Sequence, residues 1–209
     1  MISRPAVIVL AAGRGSRFLG TDHKLSQSMG GGLTVLGATL RQAIASQLPV
    51  IVVTTAGLAD LARRSVAARD VVIVPEVGTV GVNAQGMGHS IAAGVSARAG
   101  ASGWLILPGD MPRVQASTLQ AVAQQLAQNA VVYAQYNGRR GHPVGFSSEL
   151  YSELVALQGD EGARRLIARY PAVAVNVDDA GVLVDVDTVE DLETVRRASI
   201  SAEGPDTRW

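Results

Sequence analysis

Short apolar runs alternate along the chain with stretches of helical spacing, and that alternation predicts the elements. Ala6 to Ala12 is a continuous apolar run ending in Gly13-Arg14-Gly15-Ser16-Arg17, as expected of a buried parallel strand feeding a tight turn. Pro49 to Thr55, Val71 to Pro75, Trp104 to Pro108, Ala130 to Gln135, Val144 to Phe146, Val173 to Val177 and Val182 to Val186 repeat the strand pattern. Helices are predicted over Leu33 to Ser46, Leu58 to Ala68, Ser90 to Arg98, around Leu150 to Leu157, from near Asp160, and over Thr188 to Ala198. Another holds Leu119, Val122, Ala123 and Leu126 at i, i+3, i+4 and i+7, so that one face packs on a sheet. The polar stretch 137–143 (NGRRGHP) reads as a turn.

The order strand, helix, strand predicts an α/β fold: a single-domain, doubly wound, mostly parallel sheet with right-handed crossovers. Ligands of such sheets sit beyond the carboxyl ends of the strands. The domain is expected to span residues 1–198, with 199–209 a flexible tail.

Composition narrows the chemistry. Hydrophobic residues make up 47% of the chain and aromatics only 4%, so the core must be built from Ala, Val, Leu and Ile. Eighteen basic and eighteen acidic residues cancel, leaving no long-range field to draw the protein to nucleic acid or an anionic membrane. Cysteine is absent, which removes disulfides and thiolate chemistry and fits a reducing compartment. No window approaches the roughly 18 to 20 apolar residues of a membrane span, and the expected location is cytoplasmic.

The loop after the first strand is rich in small residues that let backbone N–H groups approach an anion, and Arg17 and Lys24 supply nearby cations. It lacks the G-x-x-x-x-G-K-[ST] of a Walker loop, and Phe18 stands where a dinucleotide fold needs its third glycine. The second strand ends in Thr54-Thr55 rather than in an acidic residue that would grip a ribose, which argues against a dehydrogenase. A tight strand-to-helix turn with solvated arginines remains the plain alternative.

The stretch LAAGRGSRFLGTDHK (residues 10–24) is similar to the LAAGxSxRMGxxK signature of the MobA-like nucleotidyltransferases related to the molybdenum cofactor cytidylyltransferases. The resemblance continues in order through Gly86-Met87-Gly88-His89-Ser90, Pro108-Gly109-Asp110-Met111-Pro112, Gly141-His142-Pro143-Val144, Gly159-Asp160-Glu161-Gly162-Ala163-Arg164, and the segment from Asp185 to Leu192 (DVDTVEDL). It covers essentially residues 6–195. The chain departs from the pattern at Leu19, an extra residue before Gly20, at Val189, where proline is usual, and at Ser26-Gln27-Ser28.

The resemblance implies transfer of CMP from CTP to the phosphate of a molybdopterin-type acceptor with release of pyrophosphate, and Mg2+ or Mn2+ as cofactor. Its Gly-Met-Gly-x-Ser and Leu-Ala-Ala-Gly forms look like the cytidylyl rather than the guanylyl branch. Arg17, Lys24 and Asp110 are the candidate catalytic residues. Leu10, Ala11, Ala12, Gly13, Gly15, Gln85, Gly86, Gly88 and Ser90 are the candidate nucleotide-binding residues.

Asp110 follows an apolar strand and is a candidate metal ligand with phosphate oxygens completing the shell, or a turn cap before Pro112. Asp185 and Asp187 have the i, i+2 spacing that puts two side chains on one face of a strand, where they could present paired carboxylates to the same metal, the resemblance favouring Asp185; Asp187 equally suits the cap of the last helix. Arg139, Arg140, His142, Asp160 and Arg164 are the candidate acceptor contacts, Arg139 and Arg140 doubling as an exposed basic turn and Asp160 as a helix cap. His23 and His89 read as ordinary loop residues. Competing functions are a relative using GTP or a sugar phosphate, and a non-catalytic carrier that delivers nucleotide or cofactor to a recipient molybdoenzyme.

Overall fold

The computed structural model describes residues 3–19, 22–76, 86–159 and 162–202. Seven strands form one sheet: β1 (Ala6–Ala11), β4 (Val50–Thr54), β5 (Val71–Ile73), β6 (Gly103–Pro108), β7 (Val131–Tyr136), β8 (Arg139–Ser147) and β9 (Ala172–Asn176). Their order across the sheet is β5-β4-β1-β6-β8-β7-β9, and β8 alone runs antiparallel, paired with β6 on one side and β7 on the other. The expected α/β class and mostly parallel sheet are therefore observed. A two-stranded hairpin of β2 (Ser28–Gly30) and β3 (Leu33–Thr34) was not legible, because its strands are too short and too exposed to carry a hydrophobic period.

Side-chain alternation along β1 sorts the core into two layers. Val7 and Val9 point to the face covered by α1 (Val35–Ala45), α2 (Ala56–Arg63), α4 (Ala116–Gln125) and the closing helix α7 (Val189–Ala202). Ala6 and Ile8 point to the face covered by α3 (Met87–Ala97), α5 (Tyr151–Val155) and α6 (Arg164–Arg169). α1 starts where Thr34 accepts a hydrogen bond from the Gly37 N–H at 3.1 Å, a side-chain cap for one of its orphan donors. Among the described residues no helix is long and apolar enough to cross a membrane.

Two expectations need correction. The predicted turn over 137–143 shrinks to Asn137 and Gly138, both at positive φ, as in a two-residue hairpin. Arg139 to Pro143 then belong to β8, in which Arg139 and Arg140 are exposed while Gly141 and Pro143 are already buried.

The second correction concerns Val182 to Val186, which form no ladder strand. A 3-10 turn over Ala180–Leu183 leads into an extended stretch whose Val186 N–H donates to the Asp110 carbonyl at 2.9 Å. Val182 and Val186 are fully buried, so the apolar alternation records burial without sheet pairing. α7 also continues to Ala202, beyond its expected end.

Candidate active site

The site lies beyond the carboxyl ends of β1 and β6. Gly109 lets these strands approach closely there: its N–H donates to the Leu10 carbonyl at 2.8 Å, and a Cβ on it would stand 2.9 Å from the same oxygen. From α1, the Thr39 hydroxyl donates to the Gly109 carbonyl at 2.9 Å and fixes the turn that presents Asp110.

Four charged groups drawn from distant parts of the chain meet here. The Lys24 ammonium lies 2.5 Å from Asp110 Oδ2 and 2.8 Å from Asp187 Oδ1, and the Arg17 guanidinium lies 2.6 Å from Asp187 Oδ2. Burial by itself would lower the Lys24 pKa, but Asp110 and then Asp187 outweigh it, so the ammonium is held above its ordinary value. Leu19, the extra residue, is 91% exposed, so the insertion bulges into solvent without keeping Lys24 from the carboxylates.

The cap reading of Asp187 fails. Thr188 and Asp191 cap α7 reciprocally: Asp191 Oδ2 accepts from the Thr188 N–H at 2.8 Å, and the Asp191 N–H donates to Thr188 Oγ1 at 3.1 Å. Asp187 is thereby left to the cations. Its neighbour Asp185 is held above the usual carboxylate range, chiefly by burial and then by the charge of Asp187.

Asp110 fits a divalent cation on one observation of its own: its Oδ1 is buried and has no hydrogen-bond partner. Among the described residues no three His, Asp or Glu side chains are gathered closely enough to hold an ion unaided. That suits a magnesium-type ion, which takes one or two carboxylates and completes its shell with phosphate oxygens and water.

A cavity of about 380 Å³ is lined by the loop from Ala12 to Arg17 together with Leu10, Lys24, Gly86, Ser90, Asp110 and Asp187. Two expected nucleotide contacts face elsewhere. Ala11 is buried in the core, and Gly88 packs on the backbone of Gln158, its N–H donating to the Gly159 carbonyl at 2.9 Å. Gln85 and Asp160 lie outside the described residues.

A second cavity, of about 700 Å³, opens on the other side of Leu10, Met87 and Pro108. Its walls are apolar, among them Ile91, Ile106, Val144, Phe146 and Ile167, and Arg140, His142 and Arg164 supply its polar side chains. Between the two lies a smaller space lined by Arg139, Arg140, His142, Asp110, Asp185 and Asp187. The reversal of β8 explains this convergence: Ile106 pairs with Val144, so the start of β8 lies at the same sheet edge as the end of β6.

Arg140 is stacked over the Tyr133 ring at 4.8 Å. His142 is held below the ordinary histidine value, first by burial and also by Arg140, against opposing pulls from the Ile106 carbonyl and Asp110. Its Nδ1 is buried with no hydrogen-bond partner.

Sequence reasoning missed two residues. Asp179, 3% exposed, accepts from the Gln115 N–H at 2.8 Å, the Thr118 hydroxyl at 2.7 Å and the Gly181 N–H at 2.9 Å, and so ties the segment carrying Asp185 and Asp187 to the start of α4. His23 joins the phosphate-sized loop to the turn that carries Lys24. Apart from the Thr118 hydroxyl, 61 residues from Asp179, the partners of both are backbone groups unmarked by residue type, so no local signal announces them.

The model of the MobA-like NTP transferase domain matches residues 7–174. The chain belongs to that family. Purine catabolism protein PucB of Bacillus subtilis is 38% identical over 119 residues, which are 54% of this chain and 58% of that protein; the match thus spans little more than half the length of this relative.

Among solved structures, Rv0371c of Mycobacterium tuberculosis H37Rv is similar with a TM-score of 0.79 at 28% identity, covering 94% of this chain and 99% of that one. A structure of Rv0371c in complex with manganese has a TM-score of 0.71 at 27% identity, covering 94% of this chain and 100% of that one.

Proposed function

We propose that the protein transfers CMP from CTP to the phosphate of a molybdopterin-type acceptor, releasing pyrophosphate. One observation carries the reading: two cavities share the wall of Leu10, Met87 and Pro108, the first lined by Lys24, Asp110 and Asp187, and a smaller space lined by Asp110, Asp187, Arg140 and His142 adjoins both. A donor and an acceptor seated side by side are what an in-line displacement requires.

In this reading the triphosphate lies along residues 12–17 of the loop, with Arg17 and Lys24 as its cations. The acceptor's phosphate sits near Arg140, His142 and Arg164, and its body fills the apolar cavity. An oxygen of that phosphate, already ionised, forms the new bond to the α-phosphorus as the α–β bridging bond breaks, and the electron pair leaves with pyrophosphate. No side chain need remove a proton. Lys24 and Arg17 neutralise the leaving group, and the apolar walls keep water from competing as nucleophile.

Asp110 and Asp187 are the ligands proposed for Mg2+ or Mn2+, with Asp185 beside them, and the metal would polarise the phosphate being attacked. The manganese in the Rv0371c complex supports a divalent ion in a related protein. The choice of CTP rests on the Leu-Ala-Ala-Gly and Gly-Met-Gly-x-Ser forms of the two loops.

The test is pyrophosphate release with CTP or GTP, with and without molybdopterin, in wild type and Asp110→Ala. Acceptor-dependent release with CTP is expected, reduced about 100-fold or more in the variant. Release favouring GTP would overturn the nucleotide assignment; no release with either nucleotide would favour a carrier.

A further inference from the structure

His23 stands between two parts of the site that must keep a fixed separation. Its Nε2 lies 2.9 Å from the Gly13 carbonyl oxygen in the loop, and its Nδ1 accepts from the Leu25 N–H at 3.2 Å in the turn beginning at Lys24. A carbonyl oxygen only accepts and a backbone N–H only donates. Both contacts are therefore satisfied together by one form of the ring, neutral with the proton on Nε2.

The surroundings make this a strut. The His23 carbonyl accepts from the Ser26 N–H at 2.9 Å and from the Ser26 hydroxyl at 2.7 Å, so the residue is anchored in its own turn. A Cβ on Gly15 would stand 3.2 Å from Lys24 Cγ and 3.6 Å from His23 Nε2, so the loop packs directly on both side chains. The imidazole thus spans the gap between the loop at Gly13 and the turn that begins at Lys24.

We propose that His23 is a positioning residue that sets the spacing between the loop and Lys24, and with it the fit of a nucleoside triphosphate. The inference rests on the nucleotide site proposed above and adds to it the part that holds its two halves in register. A capping role confined to the Lys24 turn would need only the Nδ1 contact; the strut needs the Nε2 contact across to Gly13.

Three variants separate these roles. His23→Asn keeps an acceptor near the Leu25 N–H but is too short to reach Gly13. His23→Gln reaches Gly13 with a donor and gives up the local cap. His23→Ala loses both.

Equilibrium binding of CTP with Mg2+, measured by calorimetry without any acceptor, is the readout, with thermal unfolding alongside to confirm that each variant folds. His23→Ala and His23→Asn are expected to bind CTP about tenfold more weakly, the scale of one lost hydrogen bond, and His23→Gln within about twofold of wild type. Full affinity in Asn with loss in Gln would make His23 a turn cap only and overturn the proposal. Equal affinity in all three would overturn it too. Wild-type protein that binds no nucleoside triphosphate would remove the underlying site as well, and so distinguishes the two failures.

Discussion

At the scale of single residues, what can be read from sequence depends on whether a side chain's partner is chemically marked. Lys24, Asp110 and Asp187 stand out because charged groups in short motifs at strand ends are informative, and the structure brings them together. Asp179 does not stand out, since nothing marks Gln115, Thr118 and Gly181 as its donors. Asp179→Ala leaves three donors unsatisfied in a buried place and is expected to cost about 3 kcal/mol, measured by urea denaturation. A loss under about 1 kcal/mol would mean that water replaces the carboxylate freely.

His142 gives a pH dependence at the same scale. Its folded pKa is depressed, so between that value and the unfolded one, about 6.5, the unfolded chain binds more protons. Its contribution to stability is therefore full above the unfolded value and is lost as pH falls through the folded one. Denaturation midpoints of wild type should drop between about pH 7.5 and 5.5 by more than those of His142→Asn, whose side chain does not titrate. Parallel curves would remove the effect.

At the scale of elements, the buried parallel strands were legible and the exceptions share a cause. Continuous apolar runs such as those of β1, β4 and β6 admit few other readings once Gly or polar residues bound them. Arg139 to Pro143 misled because strand membership there comes from pairing with β7, while the side chains serve the sheet edge. Val182 to Val186 misled in the opposite sense, being apolar and buried yet paired with no strand.

Helix α3 carries a further consequence of close packing. A Cβ on Gly94 would stand 2.4 Å from Ile8 Cγ2 and 2.8 Å from Val53 Cγ2, both on central strands with little room to shift. Alanine normally favours a helix over glycine by about 1 kcal/mol, but overpacking costs about 1–3 kcal/mol. Gly94→Ala is expected to lower stability by up to about 2 kcal/mol in chemical denaturation; a gain would show that the helix can slide outward.

At the scale of the whole molecule, the fold class was legible because the order of strands and helices determines it, and the location of the site followed from the strand ends. The division of that edge into two cavities was not legible. It depends on β8 running against its neighbours, which carries Arg140 and His142 to the edge where β6 delivers Asp110, and no periodicity within one strand encodes the direction of the next.

The bridge of Lys24 to two carboxylates also sets an order in time. Lys24 is 86 residues from Asp110 and 163 from Asp187, so during synthesis the first partner leaves the ribosome long before the second. A nascent chain still tethered at residue 178 holds the loop, Lys24 and Asp110, but neither Asp185 nor Asp187. The charge cluster can close only after the segment pinned by Asp179 has emerged, so the site is completed by the later of its two carboxylates to leave the ribosome.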